Sequence, residues 1–118
     1  MIKKLAPTLW TENLIETVNF YRDHLGFKCE SLEEEYGWAH ISRDNASIMF
    51  ALPTDHVDFK GPQFTGSIYL FTEDAKSEWE NLKDQVQVCY PLEKFDYGML
   101  EFAIYDNNRY IIQFGQEI

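Results

Sequence analysis

Two stretches of this chain repeat each other, and the repeat constrains the fold more than any other feature. Leu9-Trp10-Thr11-Glu12-Asn13 returns as Leu70-Phe71-Thr72-Glu73-Asp74, and Cys29-x-x-Leu32-Glu33 returns as Cys89-x-x-Leu92-Glu93. Tyr36-Gly37 returns as Tyr97-Gly98, Asp44-Asn45 as Asp106-Asn107, and Ile48-Met49-Phe50 as Ile112-Gln113-Phe114. The order is kept and the offset stays near 61 residues, drifting by the small gaps that turns accommodate. Self-similarity of this kind marks a duplicated structural module. With 118 residues in all, each copy is of a size at which a lone core is marginal. The copies are expected to stabilise each other, or copies in a second chain, within one domain.

Each copy reads as strand, helix and three strands. In the first, a strand is expected near Lys4–Thr11 and a helix over Leu14–Leu25. Leu14, Val18, Tyr21 and Leu25 recur at helical spacing as its buried stripe. Asn13 suits the N-cap, and Gly26 stands where a helix end takes a left-handed residue. Strands follow near Phe27–Leu32, Trp38–Ser42 and Ala46–Leu52. The second copy repeats the order, with a strand near Ser67–Thr72, a helix near Asp74–Gln85, and strands near Val86–Tyr90, Leu100–Tyr105 and Tyr110–Phe114. Pro53, Gly61 and Pro62 mark 53–65 as a linker loop. The expected organisation is a single α+β domain of two βαβββ repeats, about 4–52 and 65–115.

Strand alternation assigns the faces. One face carries Leu9, Ala39, Ile41, Ile48, Phe50, Ile68, Leu70, Leu100, Phe102, Ile104, Ile112 and Phe114, and is expected to pack under the helices. The other carries Thr8, Trp10, Trp38, His40, Ser47, Met49, Ser67, Tyr69, Phe71, Met99, Glu101 and Gln113. A face turned only to water would hold more Lys and Glu, and a second dry core fewer polar groups. The mixture reads as a pocket lining, mostly apolar with a few placed polar groups.

The net charge of −10 argues against nucleic acid, since phosphate binding needs a basic surface. It suits a cationic ligand, although an acidic surface also serves solubility. The run Glu33-Glu34-Glu35 reads as a solvated turn. Cys29 and Cys89 occupy the same place in the two copies and lack a metal-type spacing, so two free thiols in a reducing compartment are expected. No stretch reaches the length of a membrane helix or a signal-peptide core, and a cytoplasmic location is expected.

The helix Asn13-Leu14…Val18-Asn19-Phe20-Tyr21…Leu25-Gly26-Phe27 and the hairpin Tyr97-Gly98-Met99-Leu100-Glu101-Phe102-Ala103…Asp106-Asn107…Gln113-Phe114-Gly115 extend the pattern. Together with the duplication and Ala6-Pro7, they resemble the glyoxalase/bleomycin-resistance/dioxygenase (vicinal oxygen chelate) superfamily, and most of all its small bleomycin-resistance proteins. The resemblance runs from about Leu5 to Gly115. It implies curved mixed sheets of paired modules enclosing a cavity with the helices outside. It also implies a homodimer that exchanges its first strand and shares its pockets between subunits. Pro7 fits such a crossing arm, and equally an ordinary edge strand.

Enzymes of that superfamily hold a divalent metal on the first and last strands of each module. The matching places here are Ala6, Ser67, Met49 and Gln113. Alanine has no donor, and serine, methionine and one amide are poor ligands for such ions. No metal or other cofactor is therefore expected. His40 and Glu101, equally spaced after Gly37 and Gly98, would serve as base and acid or as ligands if they met, but no further donors accompany them. His24 is expected on the exposed part of the first helix and His56 in the linker loop, and neither is assigned a role. The sequence also shows neither a phosphate loop nor a Ser-His-Asp order.

The expected function is metal-independent binding of a cationic or aromatic antibiotic, or a similar small molecule. Trp38, His40, Met49, Tyr69, Tyr97, Met99, Glu101 and Gln113 are the expected ligand-binding residues, with no catalytic residue assigned. Two alternatives are a metal-dependent lyase or oxidoreductase of the same superfamily, and an interaction dimer whose mixed face is plugged by side chains.

Overall fold

The computed structural model describes residues 1–118. The chain divides into two compact units, Met1–Pro62 and Gln63–Ile118. The first unit contains β1 (Thr8–Trp10), α1 (Leu14–Leu25), β2 (Lys28–Glu33), a 3-10 turn (Glu34–Tyr36), β3 (Trp38–Arg43) and β4 (Ala46–Ala51). The second contains β5 (Ile68–Phe71), α2 (Ala75–Leu82), β6 (Val88–Phe95), β7 (Met99–Tyr105) and β8 (Ile111–Glu117). Each unit is one helix on one four-stranded mixed sheet, with strand orders β1-β4-β3-β2 and β5-β8-β7-β6. The first strand of each pairs with the last in parallel, Leu9 opposite Phe50 and Leu70 opposite Phe114, and the remaining pairs are antiparallel. This is the α+β plan of strand, helix and three strands read from the repeat.

In the first unit the apolar face and the helix stripe meet as expected. Leu14, Val18, Tyr21 and Leu25 are buried with Leu9, Phe27, Ala39, Ile41, Ile48 and Phe50. The Tyr21 ring centres this core, 5.1 Å from Phe50 and 5.5 Å from Phe27. In the second unit Phe102 stacks on Phe114 at 5.1 Å, and Trp79 of α2 lies 5.3 Å from Phe102. Ile68, Leu70 and Leu100 of the expected core face are only half-buried.

Several boundaries differ from the sequence pattern. The first strand is shorter than Lys4–Thr11. Pro7 cannot donate to the ladder, although its carbonyl still accepts the Met49 N–H at 2.9 Å. The helix α2 ends at Leu82 instead of Gln85, because the N–H groups of Gln85 and Val86 both turn back onto the Leu82 carbonyl, at 2.9 and 3.2 Å. The strand β6 runs past Tyr90 to Phe95, through irregularities between Val88 and Glu93. Pro91 is tolerated there because β6 is the edge of its sheet, where a missing donor breaks no second ladder.

The caps differ as well. Asn13 precedes α1, but its side chain makes no capping bond. Two buried threonines organise that end instead. Thr11 Oγ1 accepts the Asn13 N–H at 3.0 Å, the Thr17 hydroxyl donates to the Asn13 carbonyl at 2.7 Å, and the two hydroxyls lie 2.9 Å apart. In the second unit Asp74, expected as the first helical residue, is instead the N-cap of α2 and accepts the Ser77 N–H at 3.0 Å. Gly26 closes α1 in the left-handed conformation. Glu33, Glu34 and Glu35 are exposed, as a solvated turn requires, and both cysteines are free.

Gly37 and Gly98 both turn the chain with positive φ, 63° and 86°, where a Cβ costs about 1–2 kcal/mol. A Cβ on Gly37 would also meet Leu52 Cδ1 at 2.9 Å, whereas one on Gly98 would meet nothing within 4 Å. Gly37→Ala should therefore destabilise the protein more than Gly98→Ala in urea unfolding. Equal losses would show that Leu52 yields freely.

Candidate functional site: a carboxylate held by tyrosines

Four polar or charged side chains are buried: Thr11, Thr17, Glu101 and Asp106. The threonines organise α1. Asp106 accepts the N–H groups of Asn108 and Tyr110, both at 2.8 Å, and so builds the β7–β8 turn. Glu101, 2% exposed in mid-β7, has no such local duty.

Its partners come from every strand of the second sheet. Tyr69 on β5 donates its hydroxyl to Glu101 Oε1 at 2.8 Å. Tyr90 on β6 donates to Oε2, and so does Tyr97, from the β6–β7 turn, at 3.0 Å. Gln113 on β8 sends its amide N–H groups to the Tyr90 hydroxyl at 2.7 Å and to Oε2 at 3.3 Å, while its carbonyl oxygen accepts from Ser67.

Tyr69 reaches Glu101 by crossing a strand. β5 pairs with β8 and β8 with β7, so β8 lies between the two residues. The β8 residue opposite Glu101 is Gly115, and a Cβ there would lie 1.8 Å from the Tyr69 hydroxyl. The bare backbone of Gly115 is the passage for the phenol.

All the hydrogen-bond partners of Glu101 are neutral, so the buried charge meets no cation. Burial pushes its carboxyl up, but the hydrogen bonds from Tyr90, Tyr69, Tyr97 and Gln113 outweigh burial and hold it below its ordinary value of 4.5. The reverse holds for the phenols: burial first, and the Glu101 hydrogen bond second, push Tyr69, Tyr90 and Tyr97 above theirs. The cluster is a fixed anion inside neutral donors. The rim is aromatic. Phe71 is 74% and Tyr97 64% exposed, with Phe71 4.9 Å from the Tyr69 ring and Tyr97 stacked on Phe95 at 5.3 Å.

The structure thus brings together four of the residues singled out in the sequence: Tyr69, Tyr97, Glu101 and Gln113. Met99 begins the same strand β7, opposite Phe95 and Glu117. Trp38, His40 and Met49 lie on the first sheet, His40 opposite Met49, with His40 Nε2 2.5 Å from Ser47 Oγ and 6.3 Å between the Trp38 and His40 rings. His24 is not exposed as expected; it is half-buried, 5.0 Å from Phe20. Two open clefts of about 300 and 580 Å³ in the first unit, around Glu12 and Leu52, involve none of the expected ligand residues.

Sheet register also corrects the pairing of His40 with Glu101. Ala51 and Gly115 correspond, because they face Trp10 and Phe71 in the parallel pairs. Across the hairpins Ala51 faces Trp38, whereas Gly115 faces Glu101. The carboxylate therefore occupies the place of the Trp38 indole, and His40 corresponds to Ala103. The second hairpin is longer, so counting from the glycine turns misses by two residues. The sequence pattern assigned neither Tyr90 nor Gly115 to the site. Only the glycine beside Phe114 on a strand otherwise rich in side chains hinted at a close approach.

A model of the Glyoxalase/Bleomycin resistance protein/Dioxygenase superfamily matches residues 4–114, and the chain belongs to that superfamily. No functionally curated protein matches the sequence. Among solved structures, a glyoxalase/bleomycin resistance protein/dioxygenase from Nocardioides is similar at 13% identity with TM-score 0.80, covering 100% of this chain and 85% of the other. A protein of unknown function from Agrobacterium tumefaciens str. C58 is similar at 18% identity and TM-score 0.79, covering 100% and 96%. A lactoylglutathione lyase from Agrobacterium tumefaciens is similar at 16% identity and TM-score 0.69, covering 98% and 94%. At such identities the likeness concerns the fold.

The superfamily's divalent metal does not fit the residues present. Of the four matching places, Ala6 has no donor and Met49 only a thioether. Ser67 and both ends of the Gln113 amide are committed to each other, Tyr90 and Glu101. Nowhere do three or more His, Cys, Asp or Glu side chains converge. Both Glu101 oxygens already accept phenolic protons.

Two outcomes follow from this geometry. Gly115→Ala should expel the Tyr69 phenol, so that one tyrosine ionises at lower pH in an alkaline absorbance titration. An unchanged titration would refute the crossing. For the carboxylate, the folded-state value lies below the unfolded one. Its stabilisation is complete above about 4.5 and is lost as pH falls through the folded value. Glu101→Gln should flatten the acid limb of stability against pH, and an unaltered limb would place the acid sensitivity elsewhere.

Proposed function

We propose that the chain is a metal-independent small-molecule binding protein that works as bleomycin resistance proteins do, by sequestering a cationic or aromatic antibiotic or a similar ligand. The observation that carries the reading is Glu101, a buried anion kept ionised by neutral donors and lacking a counter-charge. A cation bound there gains charge pairing in a poorly hydrated setting, where electrostatic attraction is strong. The exposed rings of Phe71 and Tyr97 offer flat surfaces for an aromatic body.

In this reading the chain is one domain of two βαβββ repeats, about 4–52 and 65–115. Trp38, His40, Met49 and Met99 supply the remaining ligand contacts. The working form is a cytoplasmic homodimer with exchanged first strands. Ile2 and Leu5, 90% and 83% exposed in the single chain, are apolar groups that a second copy would cover. Nucleic acid is not a partner at this net charge. No helix is long and apolar enough to cross a membrane.

Metal-stripped protein titrated with bleomycin should show saturable quenching of Trp10, Trp38 or Trp79 fluorescence. Glu101→Gln should weaken binding about tenfold, the scale of one hydrogen bond to a charged group. No change at high micromolar bleomycin would remove the antibiotic from consideration. Stoichiometric nickel, zinc, manganese or iron after metal-supplemented purification would favour a metal-dependent lyase or oxidoreductase instead.

A further inference from the structure

The proposed binding function leaves open which chemical group Glu101 receives and how that group reaches a carboxylate only 2% exposed. The distribution of donors around the carboxylate bears on both questions. Oε1 accepts one hydrogen bond, from Tyr69, whereas Oε2 accepts three, from Tyr90, Tyr97 and Gln113. A carboxylate oxygen has two good acceptor directions, so Oε2 is oversubscribed.

The three phenols are not equally held. Tyr69 is half-buried and threads past Gly115. Tyr90 is half-buried and is tied to Gln113 as well. Tyr97 is 64% exposed, and its hydroxyl is held by a single 3.0 Å bond to Oε2. It rides on the β6–β7 turn, beside Gly98, around which there is open space. Its hydroxyl reaches water with little rearrangement.

Building on the binding function above, we infer that the ligand's anchoring group is a cation bearing N–H donors, such as a protonated amine, amidinium or guanidinium. This group takes the place of the Tyr97 hydroxyl on Glu101. Exchanging a neutral phenol for a charged donor keeps the acceptor satisfied and gives the buried anion its missing counter-charge. A quaternary ammonium brings the charge but no N–H, so it cannot form the charge-assisted hydrogen bond to the carboxylate. A neutral alcohol brings the donor but no charge. Tyr69, Tyr90 and Gln113 stay in place and fix the carboxylate for the incoming group, while the ligand's flat body rests on the exposed aromatic rim.

The protein would be titrated with benzamidinium, benzyltrimethylammonium and benzyl alcohol, followed by NMR chemical shifts. Benzamidinium should bind most tightly. Tyr97→Phe removes the competing hydroxyl and keeps the ring, so it should tighten benzamidinium about fivefold, the scale of one ordinary hydrogen bond. Glu101→Gln should bring benzamidinium down to the level of benzyl alcohol. Weaker binding in Tyr97→Phe, or equal binding of the quaternary and N–H cations, would overturn the exchange while leaving the binding function standing. If no probe binds either the parent or Tyr97→Phe, with both folded by circular dichroism, the inference and the binding function fall together.

Discussion

The parallel pairing of first strand to last is the constraint on which each module depends. Parallel neighbours cannot be joined by a tight turn, so the intervening helix and strands must be completed before β1 meets β4 or β5 meets β8. The pairing fixes which residues of the first strand lie beside which residues of the last. It sets Leu70 against Phe114 on the helix side and Tyr69 against Gln113 on the other. A slip of one residue would exchange these faces, sending an aliphatic core outward and a phenol inward. The carboxylate cluster is thus a by-product of the register that builds the core.

What the sequence revealed depended on whether the signal was local. The helix α1, with its stripe of Leu14, Val18, Tyr21 and Leu25 and its terminal Gly26, was readable to the residue because helical spacing and left-handed caps are properties of a short segment. The duplicated order of elements was readable because it repeats. The sequence pattern ends the strand near Tyr90, whereas β6 runs on through Pro91 to Phe95, which its edge position makes tolerable. Asn13 looked like a cap because its type is right, while the work falls to Thr11 and Thr17, which are brought together by the fold.

The same distinction governs the site. Glu101, Tyr69 and Gln113 stood out as polar or aromatic residues on one face of predicted strands. Their association could not be read, because it depends on how strands pair across the sheet. The equation of His40 with Glu101 failed for that reason: spacing from a turn is a property of one strand, and register belongs to two. Tyr90 entered through an irregular edge strand, where simple alternation no longer tells which side a residue faces. Duplication accordingly preserved the scaffold in both units while their open faces diverged. One unit carries Trp38 and the His40–Ser47 pair, and the other a buried charge.

The missing side chain at Gly115 has a consequence for how this sequence can change over time. The Tyr69 hydroxyl occupies the volume that any larger residue at 115 would need. In the first unit the corresponding pair is Ala51 with Thr8, a residue too short to cross a strand. The two positions therefore form a lock with two settings, glycine with a long phenol or a larger residue with a short side chain. Among descendants of this chain, a lineage that fills position 115 while keeping the tyrosine at 69 must turn that phenol aside, and Glu101 then loses one of its donors.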